Sequence, residues 1–282
     1  MLTVTFDSNV IEKILMPESH GTEENSPFFF RLRKAIDKKQ ILVHVADSYF
    51  TREQIPKTER LSRTDKNTAG AIEIKPDFLP NGDIHLCISI GPSKEFGNVE
   101  LDDFRRKTLV ALRSVGGTVL KTFRLADFEC KEIPSELYCH PESKEETMRR
   151  IDKCFRYISD QLSAGGDAIR EVTGAHTNEN PYLMLSNPQI KDKAFSRAFA
   201  EDADAMAVAA HYGYGIQLFC TEDKGASAGL KSVMSRQNRL KLRKRFGIRF
   251  CNVRSLTKLV DMFCHADAPS KQDGPLHQQG AV

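Results

Sequence analysis

Short β-prone runs alternate with helical stretches along most of this chain, and that alternation limits its folds more than any other feature. Leu2–Phe6 alternates and favours a strand. Asp7-Ser8-Asn9 stops it with three good helix-capping residues, and Val10–Leu15 reads as a helix. Phe28–Lys39 reads as a second helix and Ile41–Val45 as a second strand. Thr51–Thr58 is a short polar segment bounded by Pro56, and residues 61–80 are polar and turn-rich. Ile84–Ile90 is strand-like, Leu101–Val115 helical up to Gly116-Gly117, and Val119–Phe123 a further strand. Thr147–Leu162 is a helix with Ile151, Phe155 and Ile158 at helical spacing. Glu201–Tyr212 is an Ala-rich helix and Ile216–Cys220 a strand; Ile248–Val253 is the last strand, and Ser255 caps a helix to about Phe263. The pattern predicts an α/β fold: a Rossmann-like parallel sheet flanked by helices, with an elaborated middle insertion. In such sheets ligands bind beyond the carboxyl ends of the strands, so functional residues should follow strands directly.

At 282 residues, with 40% hydrophobic and 28% charged residues, the chain is long enough for one large core. It reads as a single domain over 1–265, with 61–194 packed on the main sheet and 266–282 a disordered Pro/Gly/Gln-rich tail. No apolar run approaches the roughly 18 residues that span a bilayer, so no membrane partner is expected. Met1–Asp7 has no basic patch before an apolar stretch and does not read as a signal peptide. The seven cysteines form no C-x-x-C pair, which points to reduced thiols in a cytoplasmic protein. Cys139-His140 and Cys264-His265 lack a second ligand pair and do not make a structural zinc site.

The formal charge of +3 hides an asymmetry. Eleven basic residues and no acid lie between Lys224 and Lys258, which leaves the rest of the chain at −8. Lys231, Arg236, Arg239, Lys241, Arg243, Lys244 and Arg245 form the densest part. Such a block is an electrostatic footprint for phosphate; its ordinary explanation is a solvated helix face.

Acids are placed differently. Asp7 directly follows the first strand, and Asp223 follows the Ile216–Cys220 strand by way of Thr221. Asp202 and Asp204 open the Ala-rich helix, and Glu53 begins the short segment after the second strand. Taken singly, each has a structural explanation: a cap, a helix-dipole partner, a turn residue, a surface acid. As a set they point to one rim of the sheet. Carboxylates clustered there repel one another and hold protons unless a cation joins them. Hard oxygen donors select magnesium or manganese over zinc, and such an ion can deprotonate water and neutralise a phosphate in the transition state. Acids for a metal and bases for phosphate together describe a metal-dependent nuclease.

The run Leu2-Thr-Val-Thr-Phe-Asp7-Ser-Asn9-Val10 resembles the opening of PIN-domain proteins. Glu201-Asp-Ala-Asp204 through Ala210, followed by Phe219-Cys-Thr221-Glu-Asp223-Lys-Gly225, is similar to the second half of that family. Phe50–Arg60, with Glu53, resembles the Glu-bearing stretch of one bacterial PIN-like subgroup. The likeness covers roughly 1–60 and 195–263 and is weak between 61 and 194. It implies a magnesium- or manganese-dependent endoribonuclease with Asp7, Glu53, Asp204 or Asp202, and Asp223 as catalytic and metal-binding acids. Asn9 and Thr221 would support them. Residues 202 and 204 lie about 200° apart on a helix, so both cannot face one ion. The nineteen-residue separation of Asp204 from Asp223 suits the family, which favours Asp204. RNA, single-stranded or structured, is the implied partner; analogy with toxin–antitoxin pairs adds an antitoxin-like protein and a homodimer.

Two other readings compete. The long middle insertion suits a non-catalytic nucleic-acid-binding or regulatory module that keeps the fold without turnover. A haloacid-dehalogenase-type phosphatase would begin Asp-x-Asp, and Asn9 stands at the second position. P-loop and dinucleotide patterns are missing from the sequence.

Overall fold

Leu2–Phe6 (β1) is the central strand of a five-stranded sheet, with two strands on each side. Ile41–Ala46 (β2) lies on one side, with Val4 opposite Val43, and Leu218–Cys220 (β6) on the other, with Val4 opposite Leu218. Thr118–Leu120 (β5) pairs with β2 and Phe250–Cys251 (β7) with β6. Every pairing is parallel, and the order is β5-β2-β1-β6-β7. In a computed structural model the chain is described at residues 1–68, 71–78, 84–91, 97–122, 128–176, 179–225 and 229–266. The predicted disordered tail lies outside these from 267 onward, as does the Phe123 end of the predicted strand.

Side chains leave a strand alternately to its two faces, and each face is covered. On one face Val4, Phe6, Val43 and Cys220 pack against helices Ser8–Leu15 (α1) and Ser26–Asp37 (α2), and Asp103–Ser114 and Val253–Ala266 pack there too. On the other face Phe219 packs with helices Lys144–Leu162, Asp192–Gly213 and Arg236–Phe246. With Ser48–Thr51 as α3, Arg60–Thr68 as α4 and Gly166–Thr173 as α7, these become α5 (103–114), α6 (144–162), α8 (192–213), α9 (236–246) and α10 (253–266). Helices on both faces of a parallel sheet are the α/β arrangement that the alternation predicts. The middle segment supplies β5 to the main sheet and lays α6 against α8.

Three local expectations need correction. Residues 61–80 are not simply turn-rich. They hold α4 and the strand Ala71–Phe78 (β3), which pairs antiparallel with Ile84–Gly91 (β4) outside the main sheet. The Ala-rich helix begins at Asp192 rather than Glu201, because Phe195, Ala198 and Phe199 bury a helical stripe within a stretch that reads as polar. Asp202 and Asp204 therefore stand in mid-helix, where the dipole gives them no role. The basic block is itself a helix, α9. Ser235 caps it, its Oγ accepting from the Asn238 amide at 3.3 Å, and Gly247 ends it in the left-handed region at φ 73°.

The α8 side of the sheet is partly polar, and two of its hydroxyls pair with imidazole rings. The Thr5 hydroxyl meets His211 Nδ1 at 2.9 Å, and the Thr118 hydroxyl meets His44 Nδ1 at 2.8 Å. Burial pushes His211 down to about 3 and His44 to about 4, so both rings are neutral when folded. Below the ordinary histidine value the unfolded chain takes up protons that the folded chain refuses, so stability falls as pH drops from 6.5 toward these values. The expected outcome is that, between pH 7.5 and 5, the native chain loses about 2 kcal/mol relative to His211→Asn, read from urea melts.

Candidate active site

Strand order reverses beside β1: the chain builds outward through β2 and β5, then returns to place β6 and β7 on the other side. A crevice at the carboxyl ends of β1 and β6 follows from that reversal. Asp7 and Asp223 enter it from adjacent strands. Both line a hollow of about 470 Å³, together with Ser8, Asn9, Lys13, Asp204 and Glu222.

Thr221 is the hub of this rim. Its hydroxyl donates to Asp7 Oδ2 at 2.6 Å, and accepts from Asn9 Nδ2 at 3.2 Å and from the Asp223 amide at 3.0 Å. Asn9 Nδ2 also donates to Asp7 Oδ2 at 2.9 Å, and the Ser8 amide caps Asp7 Oδ1 at 2.8 Å. Asp7 is thus both a helix cap and an oriented carboxylate; the two explanations are compatible. Asp223 Oδ1 accepts from the Gly225 amide at 2.8 Å. Gly225 has φ 70°, and a Cβ there would meet the Ser235 amide nitrogen at 2.6 Å, so this turn requires glycine.

Glu53 reaches the same group through a different set of bonds. Arg52, immediately before it, turns inward and forms an ion pair with Asp202 on α8. Tyr182 completes the triad, its hydroxyl 2.8 Å from Asp202 and 2.9 Å from Arg52 Nη2. Arg60 is a second anchor, donating to the carbonyls of Ser196 at 2.9 Å and Ile55 at 3.2 Å. Both guanidinium groups lie over the Phe199 ring, at 4.2 and 5.5 Å from its centroid. Arg105 of α5 donates to the Glu53 carbonyl at 3.2 Å, and the nearby Ser8 side chain acts to lower Glu53 against its burial.

The consequence is crowded negative charge. Burial, then the charge of Asp7, lifts Glu53 to about 7. Burial, followed by Asp7, Glu53, Glu201 and Asp223, holds Asp204 well above the ordinary carboxylate range. Asp7 is raised by burial and by Asp223, against the lowering effect of its hydrogen bonds to Thr221 and Ser8. Asp204 receives no hydrogen bond from the described residues. Burial raises Asp7, Glu53 and Asp204 alike, and the charge of Asp223 adds to it at Asp7 and Asp204; Asp202 does not belong to this group. It is fully buried and engaged by Arg52 and Tyr182, so its expected place as a metal ligand is corrected to that of an anchor. Among the described residues no three His, Cys, Asp or Glu side chains are already gathered as a ligand set.

The basic residues sort in the same manner. A groove of about 740 Å³ runs between α9, β7 and α10. Arg236 and Arg243 line it as part of the predicted patch, with Lys224, Arg249 and Lys258 beside them and no acid among the described residues of its wall. Arg239 also lines the groove but is half-buried, donating to the Asp223 carbonyl and lying 5.3 Å from the Phe250 ring centroid. It buttresses the acid-bearing turn. Lys231 is paired with Glu171 at 2.6 Å, while Lys241, Lys244 and Arg245 are exposed outside the groove wall. Sequence reasoning passed over Ser8, Glu222, Arg52, Arg60 and Arg105. The Glu222 carboxylate accepts from the Val253 amide at 2.9 Å, tying the rim to α10. Only Arg52 and Arg60 had a signal, two arginines flanking Glu53 within one short segment. No helix among the described residues is long and apolar enough to cross a membrane. No family model, curated protein or solved structure matches this chain.

Two outcomes follow from the geometry. Arg52→Met leaves Asp202 buried without its partner and should cost about 3–5 kcal/mol in urea melts, while Arg52→Met combined with Asp202→Leu recovers much of that loss. Carboxylates raised above their unfolded values weaken the fold at high pH; the penalty fades as pH falls through the raised values and is gone below the ordinary carboxylate range. Asp204→Asn should therefore raise Tm by at least ~2 °C at pH 8 in chelator, with the gain shrinking as pH falls toward the ordinary carboxylate range.

Proposed function

We propose that this chain is a metal-dependent ribonuclease that hydrolyses phosphodiester bonds at the Asp7–Glu53–Asp204–Asp223 group. The observation that carries the reading is that Asp204, which accepts no hydrogen bond from the described residues, lies among Asp7, Glu53 and Asp223, whose negative charges add to the burial that raises it. A divalent cation is the missing counter-charge that the donor set fits: all its members are hard oxygen donors, which suit magnesium or manganese. Asp7, Asp223 and Asp204 line one hollow and would hold it, with Glu53 completing the set. When bound, such an ion lowers the pKa of water and offsets charge on phosphate.

The chain's own groups do the rest. Thr221, Asn9 and the Ser8 amide fix the Asp7 carboxylate in one orientation, and Gly225 does the same for Asp223. Their rotamers are set before substrate arrives, which limits reorganisation during the reaction. Arg236, Arg243, Arg249 and Lys258 in the adjacent groove hold RNA by its phosphates. Lys224 follows the site acid Asp223 directly in the chain and lines the same groove, so the backbone is held next to the acids. The reading places the protein in the cytoplasm, with its thiols reduced.

A second reading is favoured by the lack of a gathered ligand trio among the described residues: a nucleic-acid-binding module without turnover. One assay separates the two. With manganese and single-stranded RNA, the native protein should cleave, chelator should stop it, and Asp7→Asn should lower the rate by about 100-fold or more. Salt-sensitive RNA binding with no hydrolysis under magnesium or manganese would support the module instead. Cleavage indifferent to both metal and mutation would remove the carboxylate mechanism.

A further inference from the structure

A second hollow opens onto the same carboxylates. It measures about 960 Å³ and is walled by α7, the first half of α8 and the turn at 57–60; Asp204 and Asp223 belong to its wall as well as to that of the acidic hollow. Lys57, Lys193 and Arg197 line it, are exposed, and have no ion-pair partner among the described residues. The other charges in this wall are already used. Lys231 and Glu171 pair with each other, Arg60 is spent on two carbonyls, and Glu201 accepts from the Val233 amide at 3.2 Å. Asp192 is an exposed acid at the start of α8.

Folding alone gives little reason for this arrangement. Lys193 and Arg197 sit in the first two turns of α8, where cations oppose the helix dipole. They are four residues apart and share a face, so they also repel each other. An anionic ligand in the hollow would remove both penalties. The hollow's floor already belongs to the site at which a phosphodiester is to be cut, so the anion that fits is the backbone of the same strand.

We propose that Lys57, Lys193 and Arg197 form a second phosphate-binding bank, so that one RNA strand touches the α9 groove, the carboxylates and this cleft in turn. The continuity rests on neighbouring residues: Asp223 lines the cleft and Lys224 lines the groove. This inference depends on the RNA reading for its ligand but not on hydrolysis.

The test measures binding of a fluorescein-labelled 20-nucleotide single-stranded RNA to the full chain, in chelator, by anisotropy across a salt series. Lys193→Glu with Arg197→Glu should raise Kd at least tenfold. It should also make the salt dependence shallower by about 1.4 in the log–log slope, roughly 0.7 for each lost single-strand contact. Lys57→Glu alone should raise Kd in the same direction. A control with equal charge change, Lys38→Glu with Lys144→Glu on exposed positions elsewhere, should stay within twofold. Unaltered circular dichroism and Tm establish that the variants fold. The proposal is overturned if the double variant binds within twofold of the native chain, if the control loses as much, or if the native chain does not bind this RNA. Cleavage in manganese is scored separately. Its failure with the binding difference intact removes hydrolysis and keeps the bank; its success without the difference removes the bank alone.

Discussion

The buried ion pair between Arg52 and Asp202 is the constraint on which the site depends. Residue 52 belongs to the segment after β2, and residue 202 to the middle of α8, 150 positions later in the chain. Pairing them fixes the Glu53 segment on the helix one half-turn from Asp204. A buried pair of this kind adds little net stability compared with a well-packed apolar pair. Its value lies in registry. Charge pairing plus the Tyr182 hydroxyl admits one alignment of segment and helix, where an apolar contact would tolerate several. The Phe199 ring, under both Arg52 and Arg60, limits that alignment further.

With the segment held there, the rim gathers more negative charge than folding can use. Asp7 is well satisfied by hydrogen bonds, Asp223 partly so, and Asp204 by none from the described residues. A carboxylate left in that condition costs stability at neutral pH. Chains keep such groups where the charge is useful to a ligand, which makes crowded, raised acids at a strand-end crevice a functional signal. The surrounding cations show the complementary economy. Arg52, Arg60, Arg105 and Arg239 are spent on structure, each bonded to a carboxylate or a carbonyl. Lys231 aside, the exposed cations of the groove and the cleft carry no such duty among the described residues. Structural and binding arginines are indistinguishable in composition and separate only when their partners are seen.

Helix α8 joins these parts. One side of it carries His211 against Thr5 of the sheet, another carries Asp202 toward Arg52, and Asp204 faces the rim. Its near-continuous burial explains its alanine content: small side chains let α6, α7 and the sheet approach from different directions. The polar residues that interrupt the alanines are then the ones with assigned partners or, at Asp204, a site to face.

The strands of the main sheet and most of the helices packed on it were legible in the sequence, unlike β3 and α4, because period-2 and period-3.6 patterns and capping residues are local and need no partner to be read. Parallel pairing and the strand-end positions of Asp7 and Asp223 followed from the same alternation. What the sequence could not supply was every relation between distant side chains. The true start of α8 was hidden because Phe195 and Phe199 find their hydrophobic partners in Ile55, Val99 and Phe128 rather than nearby. Asp202 and Asp204 looked equivalent in the sequence; only packing gave one a buried arginine and left the other facing like charges. The inward turn of Arg239 and the cleft that collects Lys57, Lys193 and Arg197 were equally invisible. Local periodicity is written in neighbouring residues, whereas the environment of a charge is set by whatever the folded chain brings within a few ångströms of it.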